Sequence, residues 1–225
     1  MIAVEDDTAR ELVTEAPPRV GMEKIRVLVV DDHAAVRRGL RELFEDQRDF
    51  KVVAAAPSAE RAMTIAERDE LDVAVVDYQL PGRNGLWVSR KLKRLPRPPR
   101  VVIYSAYTDG ILAAAAVVAE VDGLVSKGSL GSALCDAVRS VARGGVLLPT
   151  IPAQVAESLR RRLDDEEQAI FGMSLAGIAR AEIATILGLS EASLESRLWE
   201  LLRKLESTDQ LAVLRTRERS TIGGR

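Results

Sequence analysis

Three aspartates, a serine and a lysine carry the chemistry open to this chain. Asp31 and Asp32 close one short apolar run, Ile25 to Val30, and Asp77 closes another, Leu71 to Val76. Ser105 follows a third, Val101 to Tyr104, and Lys127 follows a fourth, Val121 to Val125. If these runs are parallel strands of one sheet, all five residues reach the same edge. Three carboxylates so placed repel one another and require a cation, for which a hard, oxygen-ligated ion such as Mg2+ is the natural choice. Asp77 is then a carboxylate nucleophile toward phosphorus. The cation offsets the charge of an incoming phosphoryl group, and the Ser105 hydroxyl and Lys127 ammonium suit its remaining oxygens.

The elements needed to position these residues are legible. A fifth apolar run spans Phe50 to Ala56, and all five runs are nearly continuous, as strands buried on both faces should be. Between and after them lie helical patterns at Ala34 to Glu45, Ala59 to Arg68, Leu86 to Leu95, Gly110 to Glu120 and Gly131 to Arg143, with Ser58 and Asp109 as start signals. This alternation predicts an α/β fold, a (βα)5 doubly wound parallel sheet over residues 23–143. Its ligand site should lie outside the carboxyl ends of the strands.

Residues 1–22 are polar, carry Pro17-Pro18 and lack a sustained period, so a flexible leader is expected. After Gly144-Gly145, with Pro149 and Pro152, a linker is expected over 144–162, including a helical segment near Gln154 to Leu163. From there no strand signal remains. A small all-α domain is expected over 163–215, followed by a flexible tail over 216–225.

Composition narrows the class. The 225 residues have a formal net charge of −2 and one cysteine, Cys135, read as a small buried hydrophobe. A single cysteine with a single histidine, His33, excludes the usual zinc constellations and an internal disulfide. With no apolar stretch of membrane length and an acidic start at Glu5, Asp6 and Asp7, the expected location is the cytoplasm, with no membrane partner.

The segments VLVVDDH, VAVVDYQLPGRNGLW, VVIYSAY and GLVSKGSL resemble the receiver domain of two-component response regulators over roughly residues 24–145. The resemblance implies that Asp77 accepts a phosphoryl group from a histidine kinase. It implies further that Asp32 and Asp77 ligate Mg2+ directly, Asp31 through water and Gln79 through its backbone carbonyl, with Ser105 and Lys127 completing the site. His33, at the mouth of an acid pocket in a chain without a nucleotide-binding motif, is given a positional role rather than that of a phosphodonor. Two departures stand out. Leu124 occupies the place, three residues before the lysine, where receivers usually carry a switching Tyr or Phe, and Gln79 and Tyr107 occupy positions that tune phosphoryl lifetime. Haloacid-dehalogenase-like phosphatases also use a strand-end Asp with Mg2+, but need an acid two residues later, where this chain has Gln79. The expectation is therefore a phosphoacceptor with at most slow self-dephosphorylation, not an enzyme.

The stretch from Leu163 to Glu206 resembles the helix-turn-helix of NarL/FixJ (LuxR-type) regulators, with the turn at Gly188-Leu189-Ser190, Ser190 capping the recognition helix, and that helix running to Leu205. The family commonly has lysines facing the major groove where this chain has Glu195 and Trp199. Four cations against nine acids over residues 163–206 leave a formal charge of −5, which opposes DNA binding. Two outputs stay open. In one, a homodimer binds DNA through Ser193, Ser196, Arg197, Arg203 and Lys204, with phosphates met by Arg160 to Arg162 and by Arg215, Arg217 and Arg219. In the other, the acidic helix and Trp199 serve dimerisation or a protein partner. Trp199 is open to a third reading, as a core residue sealing the domain against the linker.

Overall fold

The computed structural model describes residues 24–207; the expected leader, residues 208–215 of the expected all-α domain with Arg215, and the whole expected tail with Arg217 and Arg219 lie outside the described residues. Strands β1 (Ile25–Val30), β2 (Phe50–Ala56), β3 (Val73–Asp77), β4 (Arg100–Ser105) and β5 (Gly123–Ser126) form one parallel sheet in the order β2-β1-β3-β4-β5. Helices α1 (Ala34–Glu45), α2 (Ala59–Ala66), α3 (Gly85–Leu92), α4 (Gly110–Val118) and α5 (Gly131–Ala142) follow the strands in turn. This is the doubly wound arrangement expected from the alternation, and every residue of the central β3 is buried.

Several boundaries move for identifiable reasons. β3 begins at Val73 rather than Leu71 because Asp72 turns its carboxylate onto Arg26, whose guanidinium meets it at 3.0 Å. β5 begins at Gly123 because Asp122 is taken up by Arg100 and by the Val101 amide, 2.8 and 2.7 Å away. α2 and α3 stop before Arg68 and Leu95, while Ser58 and Asp109 cap as expected, Asp109 accepting from the Ile111 and Leu112 amides at 3.0 and 2.8 Å.

The expected linker is partly structured. Leu147 lies along β5, accepting from the Leu124 amide at 2.9 Å and donating to the Asp122 carbonyl at 2.7 Å, which covers the sheet edge. Helix α6 (Ala153–Arg160) follows and contacts α4. Then come α7 (Asp165–Leu175), α8 (Arg180–Leu187) and α9 (Glu191–Glu206). Asp164 and Glu167 form a reciprocal capping box on α7. Gly188 ends α8 at φ 64°, a left-handed position that favours glycine, and Ser190 caps α9 by accepting from the Ser193 amide.

The core does not stop at the end of the α/β unit. One apolar cluster runs from Leu28, Val76 and Ile103 through α4 to Ile170, Leu194, Leu198 and Leu201 of the helical unit. Helix α4 explains the continuity: Ile111 to Ala116 and Val118 are all buried, so it is covered on its outer side as well as by the sheet. A helix apolar all round must be enclosed. Here α6, α7 and α9 supply the cover.

Candidate functional site

The carboxyl ends of β1, β3, β4 and β5 bring the five residues to one edge, because parallel pairing sets them in register: Val30 opposite Val76, Asp77 opposite Tyr104, and Ser105 opposite Ser126. Asp31 and Asp77 are buried, and Lys127 bridges them, its Nζ 2.8 Å from Oδ2 of each. Asp31 Oδ1 accepts from the His33 amide at 2.8 Å, and Asp77 Oδ1 accepts from the Gln79 amide at 3.2 Å. The turn after β1 is held by Arg37, which donates to the Asp31 carbonyl at 2.7 Å. Ser105 is buried at the end of β4, where its hydroxyl accepts from the Tyr107 amide at 3.0 Å. The α3 start passes so close beneath β3 that a side chain at Gly85 would press into the Asp77 carbonyl oxygen, and only glycine fits there.

The oxygen donors suit a hard cation. One ligand atom each from Asp31, Asp32, His33 and Asp77 falls within 4.8 Å of the others. Asp32 Oδ1 is shielded from solvent without a hydrogen-bond partner, although His33 Nδ1 stands 2.7 Å away. A shielded carboxylate oxygen of this kind is costly unless a cation or a proton meets it. His33 thus lies beside the acids as their neighbour and as the first residue flanking α1, in keeping with a positional role.

Burial dominates the electrostatics of Asp77. It pushes the carboxyl up to about 6, against the downward pull of the Lys127 ammonium, and Asp31 adds repulsion. Lys127 is raised by its two carboxylate partners despite its own burial. A raised carboxyl makes the folded state bind protons that the unfolded chain has released. Ionised Asp77 therefore costs stability above about pH 6, and the cost disappears below about pH 4. In Mg2+-free buffer at pH 7.5, Asp77→Asn is expected to raise the thermal midpoint by roughly 5 °C, corresponding to about 2 kcal/mol. At pH 4 the two proteins should melt together, and added Mg2+ should raise the wild type alone. Calorimetry across this range checks the sign.

Leu124 is buried against the apolar cluster, so the usual aromatic position holds a packed aliphatic. The aromatic nearest Lys127 is Tyr104, whose ring centroid lies 5.9 Å from Nζ.

The expected DNA-contacting residues are divided. Ser193, Ser196 and Arg203 are exposed. Arg197 is engaged by Glu166 and Glu200 at 3.0 and 3.4 Å, and Lys204 by Glu167 at 2.5 Å. Glu195 and Trp199 are only partly exposed and meet the α/β unit. Glu195 is gripped by Arg90 and, at 2.9 and 3.3 Å, by Arg94 and Arg180. Trp199 packs on Trp87 of α3, ring centroids 6.5 Å apart. This corrects both expectations for Trp199: it is neither free for a partner nor sealed against the linker, but docked on the α/β unit. No local pattern marks these receiving residues, because Arg90 and Arg94 stand among the neighbouring cations Lys91 and Lys93.

Comparison with known proteins agrees with this geometry. Residues 27–139 match the family described as the response regulator receiver domain. Response regulator UvrY of Escherichia coli K12 is 31% identical over 191 residues, 80% of this chain and 88% of UvrY. The DNA-binding transcriptional activator DevR/DosR of Mycobacterium tuberculosis is 33% identical over 206 residues, covering 85% and 94% of the two chains. Among solved structures, a LuxR-family two-component response regulator from Aurantimonas sp. SI85-9A1 superposes with a TM-score of 0.55 at 30% identity, over 60% of this chain and 98% of that one. Among the described residues no helix is long and apolar enough to cross a membrane. The likeness extends through both units, and the chain belongs to the two-component response regulators of the NarL/FixJ type, in which a receiver precedes a LuxR-type helix-turn-helix.

Proposed function

We propose that this chain accepts a phosphoryl group on Asp77 from a histidine kinase and answers by regulating transcription, as a cytoplasmic homodimer that binds DNA through its helical unit. The observation that carries the reading is the buried Asp77 carboxylate held 2.8 Å from Lys127 beside Asp31 and Asp32. An Asp77 oxygen attacks the phosphorus of the kinase's phosphohistidine, the new P–O bond forms as the P–N bond breaks, and the released imidazole takes a proton from solvent. Lys127 transfers its attraction from the two carboxylates to the phosphoryl oxygens, and Ser105 turns its hydroxyl from the Tyr107 amide toward them. Asp31, Asp32, Asp77 and the Gln79 carbonyl would hold Mg2+, which when bound neutralises charge on the phosphoryl oxygens. No acid stands two residues after Asp77 to protonate a leaving group, which favours slow self-dephosphorylation over turnover of external phosphoesters.

The name of DevR/DosR and the helix-turn-helix geometry support a DNA output. With Glu195 and Trp199 against the receiver, α9 has to leave that surface before it enters a major groove. Binding to random duplex DNA should therefore be weak without a phosphate mimic, and should strengthen with beryllofluoride and Mg2+ in a salt-dependent manner. No binding at low salt by a folded, beryllofluoride-loaded dimer would overturn the DNA output while leaving the phosphoacceptor reading intact.

A further inference from the structure

Strand register places an aromatic ring beside the acceptor. Asp77 of β3 stands opposite Tyr104 of β4, and Tyr104 opposite Val125 of β5. Tyr104 packs against the apolar cluster on the α1 and α5 side of the sheet, which holds Val75 and Val102 with Phe44 and Leu134, so alternation along β3 and β4 puts Asp77 and Tyr104 on that one face. Lys127 returns to the same place from the end of β5. Its amide donates to the Ser105 carbonyl at 2.7 Å, and its Nζ stands 2.8 Å from Asp31 and from Asp77. That Nζ lies 5.9 Å from the Tyr104 ring centroid, a distance at which an aromatic face attracts an ammonium. The Tyr104 hydroxyl donates to the Lys127 carbonyl at 3.5 Å, too long to contribute much, so the ring is the contact that counts.

We infer that Tyr104 is a positioning residue for phosphoryl acceptance: its ring holds the Lys127 ammonium beside Asp77 while the charges around that ammonium change. The inference deepens the proposed function and rests on it. In the resting site two carboxylates fix Nζ, and ion pairs of that length outweigh a ring contact. Transfer alters the balance. The attacking Asp77 oxygen becomes bonded to phosphorus, which leaves Asp31 as the unmodified carboxylate drawing Nζ toward β1. Tyr104 belongs to β4, which lies across β3 from β1, and its uncharged ring is unaltered by the reaction. Its attraction therefore persists from the other side of Asp77. Leu124 packs into the cluster on the opposite face of the sheet, so the ring of Tyr104 does not occupy the place of the aromatic that β5 lacks.

The test uses the full chain, phosphorylated by acetyl phosphate with Mg2+, and compares initial rates. Tyr104→Leu, which keeps apolar bulk and loses the aromatic face, should slow the reaction roughly tenfold. Tyr104→Phe should stay within about twofold of the wild type, because it loses only the long hydroxyl contact. Since Tyr104 acts through Lys127, adding Tyr104→Leu to Lys127→Ala should slow that variant no further. If Tyr104→Leu lowers the thermal midpoint, Tyr104→Met, whose flexible side chain refills the space, carries the comparison. A second readout needs no phosphate. With isotopically labelled lysine, the Lys127 ε-methylene NMR signal, assigned by its absence from Lys127→Ala, should be ring-shifted in the wild type and in Tyr104→Phe but not in Tyr104→Leu. An unslowed Tyr104→Leu, equal losses in the Leu and Phe variants, a further loss on the Lys127→Ala background, or an unshifted wild-type signal would each overturn the inference and leave Asp77 as acceptor. A wild-type chain that takes no phosphate would instead overturn the phosphoacceptor reading, and the inference with it.

Discussion

Asp77→Asn is expected to abolish phosphorylation by a small-molecule donor such as acetyl phosphate, and with it the response to beryllofluoride. The loss should be complete, because the amide is not a nucleophile toward phosphorus and no other carboxylate shares its position. Asp31 and Asp32 lie one strand away, Asp31 fixed by Lys127 and the His33 amide, and Asp32 with 30% of its side chain exposed at the mouth. The substitution should leave the fold intact, since asparagine is close in shape and relieves a buried carboxyl that burial pushes up to about 6. Acid-labile phosphate retained on Asp77→Asn would mean that another residue is the acceptor.

Lys127→Ala should give the second-largest effect. Lys127 is the one cation within ion-pair distance of both Asp31 and Asp77 among the described residues, and its raised pKa reflects those two partners. Its removal leaves two buried carboxylates without a fixed countercharge and strips the incoming phosphoryl group of an ammonium. The initial rate of phosphorylation should fall on the order of a hundred- to a thousandfold. Because the carboxylates then repel each other with less relief, Mg2+ should stabilise this variant more than the wild type, in contrast to Asp77→Asn. Phosphorylation within a few-fold of the wild-type rate would show that Lys127 only neutralises the resting site.

Much of this was legible before any coordinates. β1, β2 and α1 fall at the expected residues, because β1 is a β-branched run ended by two acids, β2 an apolar run ended by Pro57, and α1 a clean amphipathic helix. The strand-end acids converge because parallel topology makes them do so. Edges that shifted did so where a polar side chain found a distant partner, as Asp72 did with Arg26 and Asp122 with Arg100.

What lay hidden was the relation between the two units. Glu195 is separated by about a hundred residues from Arg90 and Arg94, and no local pattern links them. One signal is present in the sequence: α4 has no polar face. Gly110 to Val118 contains glycine, isoleucine, leucine, alanine and valine only, which already required a cover on the side away from the sheet. The acidity of α9 is then the counterpart of basic α3, and its apolar stripe the counterpart of α4. Charge counted over residues 163–206 alone could not show this, because the balancing arginines belong to the other unit.

Chemical location of the modified residue tests Asp77 as the phosphoacceptor of this site. The full chain is treated with acetyl phosphate and Mg2+, the acyl phosphate is trapped by borohydride reduction, and the peptides are sequenced by tandem mass spectrometry. Conversion of the aspartate to homoserine is expected at position 77 alone. Reduction at Asp31 or Asp32, or a stable phosphate on His33 with Asp77 unmodified, would assign the acceptor to another residue.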